Sequence, residues 1–261
     1  MTGAFIWYEL MTPDPAAAGA FYGHVIGWSL PDAAPGDPIG YRQFVRSDGG
    51  NAGGVLPLDT GMAAHGARPA WIPYLHVTNV TTAAAAIEAD GGKVLMPEMT
   101  LPVGTIAMMA DPQGVPFYIM VPVPPPGHEG EQSDVFSVDQ PQHVRWNELA
   151  SPDLAAAKAF YSRHFGFEFN TSMPMGPMGD YCFIDHGGQT LGAIMQQQAE
   201  GMPPIWLPYI GVPSAMAAHA AIAEAGGTVV MGPHEVPGGD WIVVATDPQG
   251  ALFGVVGPKG D

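Results

Sequence analysis

The sequence predicts an α+β fold of four βαβββ modules arranged as two domains, and three observations carry that prediction. The first is repetition. Trp7-Tyr8-Glu9-Leu10 returns as Trp146-Asn147-Glu148-Leu149, an offset of 139 residues (148 − 9), and Trp71-Ile72-Pro73-Tyr74 returns as Trp206-Leu207-Pro208-Tyr209 at 135 (206 − 71). Thr12-Pro13-Asp14, Ala20-Phe21-Tyr22, Gly91-Gly92 and Asp111-Pro112-Gln113-Gly114 each have a counterpart in the same order: Ser151-Pro152-Asp153, Ala159-Phe160-Tyr161, Gly226-Gly227 and Asp247-Pro248-Gln249-Gly250. Internal repetition decides architecture before any other signal. The second observation is that short apolar runs alternate with Ala-rich helical stretches in each half. The third is the abundance of 35 glycines and 28 prolines in 261 residues, which favours short strands and turns over long helices.

Each element follows from its residues. Phe5–Leu10 is an aromatic and apolar strand. Thr12 reads as a helix N-cap with Pro13 at the first helical position, the helix runs from Ala16 to Val25, and Gly27 ends it. Tyr41–Val45 and Gly54–Leu58 are the next strands. A second unit has a strand at Ile72–Val77, an Ala-rich helix at Thr81–Ala89 stopped by Gly91-Gly92, and strands at Thr105–Ala110 and Phe117–Val121 around the Asp-Pro-Gln-Gly turn. The second half repeats the order: strand 144–149, helix 154–164, strands near 180–184 and 190–195, strand 206–211, helix 215–225, and strands 241–245 and 252–256.

Between the halves, Val121 to Gln142 reads VPVPPPGHEGEQSDVFSVDQPQ, a Pro run followed by a polar stretch with little to bury. It sets one domain at 1–124, a Pro-rich acidic linker at 125–141 and a second domain at 142–258. The second domain is expected to fold alone, and the chain to be a monomer or weak homodimer.

Composition excludes several functions. Twenty-five acidic and 8 basic residues leave a net charge of −17, which repels phosphate backbones and anionic lipid, so neither nucleic acid nor membrane is an expected partner. Cys182 is the sole cysteine, so no intrachain disulfide and no zinc–thiolate cluster forms. Met1 to Glu9 lacks a basic segment followed by an apolar run, and no window holds 18 uninterrupted apolar residues, so a cytoplasmic location is expected.

The module pattern, with Phe-Tyr late in the first helix and Asp-Pro-x-Gly before the last strand, resembles the vicinal oxygen chelate superfamily of glyoxalases, extradiol dioxygenases and bleomycin-resistance proteins. Trp7-x-Glu9-Leu10, Trp146-x-Glu148-Leu149 and Met202-Pro203-Pro204-Ile205-Trp206 resemble a tandem glyoxalase-like subgroup typified by a mycobacterial antigen. The resemblance covers nearly the whole chain and implies two glyoxalase-like domains with cup-shaped sheets. It also implies a divalent metal held by His and Glu on the first and last strands of paired modules. Those positions here carry Trp7, Trp146, Ile72, Leu207, Tyr118 and Gly254, with Val55 and Ala193 near a fourth, so no metal ligand and no cofactor is expected.

Strand alternation then defines a cavity face. Glu9 shares a face with Trp7, and Glu148 with Trp146; Tyr74 and His76 share one with Ile72, and Tyr209 with Leu207. The ligand-binding set is Trp7, Tyr74, His76 and Tyr118 in the first cup, and Trp146, Tyr181 and Tyr209 in the second. Glu9 and Glu148 are the candidate catalytic groups. Each glutamate has two readings: a ligand anchor, or a tie that accepts from Tyr74 or Tyr209. Trp7 and Trp146 read as pocket floor or core, and His76, without a counterpart in the other half, as structural. Asp111 and Asp247 read as turn formers, and Cys182 as a small buried residue. The loop Met173 to Gly179 reads either as a lid or as an ordinary hairpin. The leading function is metal-independent binding of a small apolar or cationic molecule in an aromatic cup. The alternative is a lactoylglutathione lyase or dioxygenase with noncanonical metal ligands.

Overall fold

A computed structural model of the chain describes residues 2–198 and 204–260. Met202 and Pro203 of the Met-Pro-Pro-Ile-Trp motif lie outside the described residues. The first module comprises β1 (Phe5–Thr12), α1 (Pro15–Val25), β2 (Arg42–Val45) and β3 (Asn51–Pro57), followed by the short helix α2 (Thr60–Ala64). The second comprises β4 (Ala70–His76), α3 (Val80–Ala89), β5 (Lys93–Leu101), β6 (Gly104–Ala110) and β7 (Pro116–Pro122). The third comprises β8 (Val144–Ser151), α4 (Leu154–Phe165), β9 (Ser172–Pro174), β10 (Asp180–His186) and β11 (Gln189–Gln196). The fourth comprises β12 (Trp206–Gly211), α5 (Ala215–Glu224), β13 (Thr228–Glu235), β14 (Trp241–Thr246) and β15 (Leu252–Gly257). In the first module a single bridge between Ser29 and Val45 adds to the β2 side of the sheet.

The strands form an α+β arrangement of two open sheets, ordered β2-β3-β1-β4-β7-β6-β5 and β13-β14-β15-β12-β8-β11-β10-β9. In every module the first strand lies parallel to the last, as β1 to β3, β4 to β7, β8 to β11 and β12 to β15. By packing, the chain divides into two compact units that cut across the repeat. One contains residues 1–6, 72–133 and 146–206; the other contains 7–71, 134–145 and 207–261. Each unit thus joins a module of the first half to a module of the second. Helix α3 packs with α4 in the first unit, and α1 with α5 in the second.

A buried hydrogen-bonded chain locks each pairing. In the first unit Trp206 Nε1 donates to Tyr161 Oη (3.1 Å), and Tyr161 donates to Asp111 Oδ2 (3.2 Å). In the second, Trp71 Nε1 donates to Tyr22 Oη (2.8 Å), and Tyr22 donates to Asp247 Oδ2 (3.2 Å). The other oxygen of Asp111 accepts the backbone N–H groups of Gln113 and Val115, and that of Asp247 those of Gln249 and Ala251, all at 2.9 Å. The two aspartates therefore shape their turns and also anchor a tyrosine from the partner module. Burial pushes both carboxyls above their ordinary value, against the pull of these donors. Burial, and then the neighbouring aspartate charge, pushes both tyrosine hydroxyls well up, so they stay protonated and donate.

Two local expectations are corrected. The N-cap of α1 is Asp14, whose Oδ1 accepts from Ala17 N–H, and Pro15 rather than Pro13 opens the helix. Thr12 caps one step earlier, accepting the N–H of Asp14 on Oγ1 (3.3 Å). Strands β5 and β13 add to the strands that the sequence predicts; each is an edge strand with an exposed, unalternating face and an internal proline, Pro97 or Pro233. Met173 and Pro174 lie on β9, paired with Tyr181 and Asp180, and residues 175–179 form the β9–β10 hairpin connection, the second of the two readings of this loop, with a single 3-10 turn at Gly176–Met178. Among the described residues no helix is long and apolar enough to cross a membrane.

Candidate functional site

Strand β8 presents two chemically different faces. Asn147 and Leu149 are buried, and Asn147 Nδ2 donates to the carbonyl of Leu191 (3.0 Å). Trp146 and Glu148 occupy the opposite, half-open face. There Trp146 Nε1 donates to Tyr181 Oη (2.8 Å), and Tyr181 donates to Glu148 Oε2 (2.6 Å). The Trp146 and Tyr181 rings are parallel within 4°, and Phe183 meets both edge-on at 6.0 and 5.7 Å. An indole N–H only donates, so it fixes the direction of the chain. The Tyr181 proton must point at the carboxylate. Burial first, and the Glu148 charge second, raises the Tyr181 hydroxyl well above its ordinary range, so it remains a donor. The arrangement offers an acceptor carboxylate framed by aromatic rings.

The same unit holds Tyr74, stacked on Tyr118 at 4.2 Å and 18°, the two being register partners on β4 and β7. His76 follows two residues on, opposite Met120. It closes β4 through backbone bonds: its N–H donates to Ala4 (2.9 Å), and its carbonyl accepts from Gly3 (2.8 Å).

In the other unit Trp7 Nε1 donates to Tyr41 Oη (3.0 Å), and Glu9 is buried opposite Gly54 in the parallel β1–β3 pair. A Cβ at Gly54 would lie 1.8 Å from Tyr41 Oη and 2.9 Å from Trp7 Nε1, so as placed here the Tyr41 hydroxyl takes the space of a side chain at position 54. Tyr209 is the register partner of Gly254, and a Cβ at Gly254 would lie 2.4 Å from its ring. The ring lies flat over the last strand.

The packing regroups the sequence-predicted residues. Trp7, Glu9 and Tyr209 belong to one unit; Trp146, Glu148 and Tyr181 belong to the other, with Tyr74, His76 and Tyr118. Tyr181, of the same module, donates to Glu148. Tyr41, Phe183 and Gly54 were missed as site residues. Tyr41 precedes Tyr181 by 140 residues (181 − 41), close to the repeat offset, and that spacing was the available signal. Cys182 is buried on the helix-facing side of β10, with Lys158 Nζ at 3.6 Å.

A metal fits this site poorly. Among the described residues no three His, Cys, Asp or Glu side chains gather where they could hold an ion. Of the positions where the fold would place ligands, Tyr118 is stacked on Tyr74, and Gly254 lies beneath the Tyr209 ring.

A family model described as Glyoxalase/Bleomycin resistance protein/Dioxygenase superfamily matches residues 4–119 and again 140–255. The protein named "Putative glyoxylase CFP32" of Mycobacterium tuberculosis is 29% identical over 255 residues, covering 97% of this chain and 94% of that one. Anthracycline biosynthesis protein DauV of Streptomyces sp. (strain C5) is 27% identical over 265 residues, covering 97% and 93%. Among solved structures, the Mn(II)-bound glyoxalase from Novosphingobium aromaticivorans superposes with a TM-score of 0.64 at 17% identity, over 100% of this chain and 83% of that one. At that identity the likeness is one of fold.

Proposed function

The chain belongs to the glyoxalase/bleomycin resistance protein/dioxygenase superfamily, and on that premise we propose that it binds a small apolar or cationic molecule, without a metal, in aromatic cups that each hold a glutamate. The Trp146–Tyr181–Glu148 chain carries this reading. A hydrogen-bond acceptor held among half-open aromatic rings suits a ligand with an apolar body and one donor group. The donor set supports metal independence, because the aromatic, aliphatic and glycine residues at the ligand positions supply no set of hard or borderline donors, and no such group gathers among the described residues. The relative named for anthracycline biosynthesis is in keeping with an aromatic ligand. The acidic balance supports a small-molecule partner over nucleic acid or anionic membrane, and a cytoplasmic place of action is part of the same proposal.

Native mass spectrometry after mild purification, paired with metal analysis, tests the reading. The expected result is a retained or readily added small molecule, well under one metal equivalent per domain, and a melting temperature unmoved by chelator. Stoichiometric metal bound through Glu9 or Glu148 overturns it.

A further inference from the structure

Resting on the reading that the cups bind a ligand, we infer that Tyr41 closes in one unit the relay that Tyr181 closes in the other, so that each unit carries one site selecting a flat aromatic cation over its neutral and anionic counterparts. The Tyr41 hydroxyl accepts from Trp7, so its own proton needs an acceptor elsewhere. That hydroxyl lies against the Cβ position of Gly54, and Gly54 is the register partner of Glu9. Neighbouring strands lie about 4.8 Å apart, so a group seated over Gly54 sits beside the Glu9 side chain on the same face. The Glu9 carboxylate is thus the acceptor within reach. The same register holds in the Tyr181 unit, where Ala193 pairs with Glu148.

The consequence is a charge preference. A carboxylate fixed by a donor that cannot give up its proton accepts hydrogen bonds and attracts positive charge. The surrounding Trp and Tyr faces add a cation–π contribution. A net charge of −17 further disfavours anions. Tyr41 and Tyr181 are positioning residues: they hold the carboxylate that meets the ligand.

Three acridines separate charge from shape: 9-aminoacridine as the cation, acridine as the neutral ring and acridine-9-carboxylate as the anion, at a pH where each holds that state. Titration of the full chain by fluorescence should show two equivalents of 9-aminoacridine. Affinity should exceed that for acridine by about tenfold, the scale of one charge-assisted hydrogen bond, with acridine-9-carboxylate weakest. Tyr41→Phe and Tyr181→Phe should each collapse the cation-to-neutral affinity ratio at one of the two sites and leave acridine binding in place. A general loss of fold lowers both signals together and does not change the ratio. If Tyr41→Phe does not fold, Gly54→Ala displaces the same hydroxyl through its far end and should give the same result. Equal affinity for acridine and 9-aminoacridine, or a Tyr41→Phe variant with both sites unchanged, overturns this inference and leaves the binding reading standing. Failure of all three acridines to bind overturns both.

Discussion

Glu148 sits where two roles compete, and one substitution separates them. Glu148→Gln keeps the shape, removes the charge and leaves Tyr181 an amide oxygen to donate to. If the carboxylate anchors a ligand, affinity for any co-purified molecule should fall by roughly 1.5–3 kcal/mol, the scale of a hydrogen bond to a charged group, while the melting temperature moves little. A structural tie gives the reverse pattern, with lost stability and intact affinity. Asp111 is the contrasting case. Its carboxylate accepts two backbone N–H groups and the Tyr161 hydroxyl in a buried site, so Asp111→Ala strands several buried donors and should cost about 3 kcal/mol or more in denaturant unfolding. Asp111→Asn keeps the turn oxygen and should cost less. Its pH dependence has a definite sign. Burial raises the folded-state pKa, so the stability tied to this group is complete below the ordinary carboxylate value and is lost as pH rises through the folded value. Wild type should therefore lose stability relative to Asp111→Asn upward from about pH 4. A flat difference between the two proteins across that window contradicts the assignment.

The elements that place these residues were legible in the sequence to different depths. Helices α1 and α4 announce themselves through small and apolar residues and an aspartate ahead of the first turn. The sequence points to a cap two residues early in α1 because Thr12-Pro13 and Asp14-Pro15 are both N-terminal signatures; only the geometry shows Thr12 bonding to Asp14 and Asp14 bonding into the helix. In α4 the equivalent aspartate accepts from Ala156 N–H at 2.9 Å, so Asp153→Ala should cost about 1 kcal/mol in thermal or denaturant unfolding. Strands β5 and β13 were illegible because an edge strand without a covered face has no period-two pattern, and Pro97 and Gly232-Pro233 read as breaks. The candidate site was half legible. Trp7, Glu9, Trp146 and Glu148 came directly from repetition, whereas Tyr41 lay at the mouth of a strand and looked like its first residue. Gly54 explains what the pattern hid: its missing side chain is the space that the Tyr41 hydroxyl occupies. Gly54→Ala should break the Trp7–Tyr41 bond at a cost of about 1 kcal/mol, visible as altered Trp fluorescence in a protein that still folds. Unchanged emission and stability would show that the strand shifts to absorb the methyl group.

At the scale of the whole molecule, the repeat and the packing divide the chain differently, and folding should follow the packing. Family-model matches at 4–119 and 140–255 mark two homologous halves. The compact units instead pair 72–133 with 146–206, and 7–71 with 207–261. The tie within each unit is chemical as well as apolar. Asp111 of the first half receives the hydroxyl of Tyr161 from the second, and Asp247 of the second receives that of Tyr22 from the first. A fragment ending at residue 124 keeps Tyr22, Trp71 and Asp111 but loses Asp247, Tyr161 and Trp206. A fragment of 142–258 suffers the reciprocal loss. Each would expose the aromatic face of its helices, Phe21 and Tyr22 in one and Phe160 and Tyr161 in the other, which are buried in the full chain. Each would also leave a buried aspartate or tyrosine without its partner, at a cost of about 1–3 kcal/mol per stranded group. Neither fragment is expected to give dispersed NMR spectra or a cooperative melting transition alone, unless two copies of one fragment exchange modules with each other. Mixed at equal concentration, the two should assemble into a heterodimer that regains a cooperative melt, because all four modules and both Trp–Tyr–Asp chains are then present. Tyr161→Phe in the 142–258 fragment should weaken that assembly, since the Asp111 carboxylate loses its buried donor. A 142–258 fragment that is monomeric, dispersed and cooperatively folded without the other half would show that the third and fourth modules pair with each other when separated, and the packing of the full chain would then be one of two available arrangements.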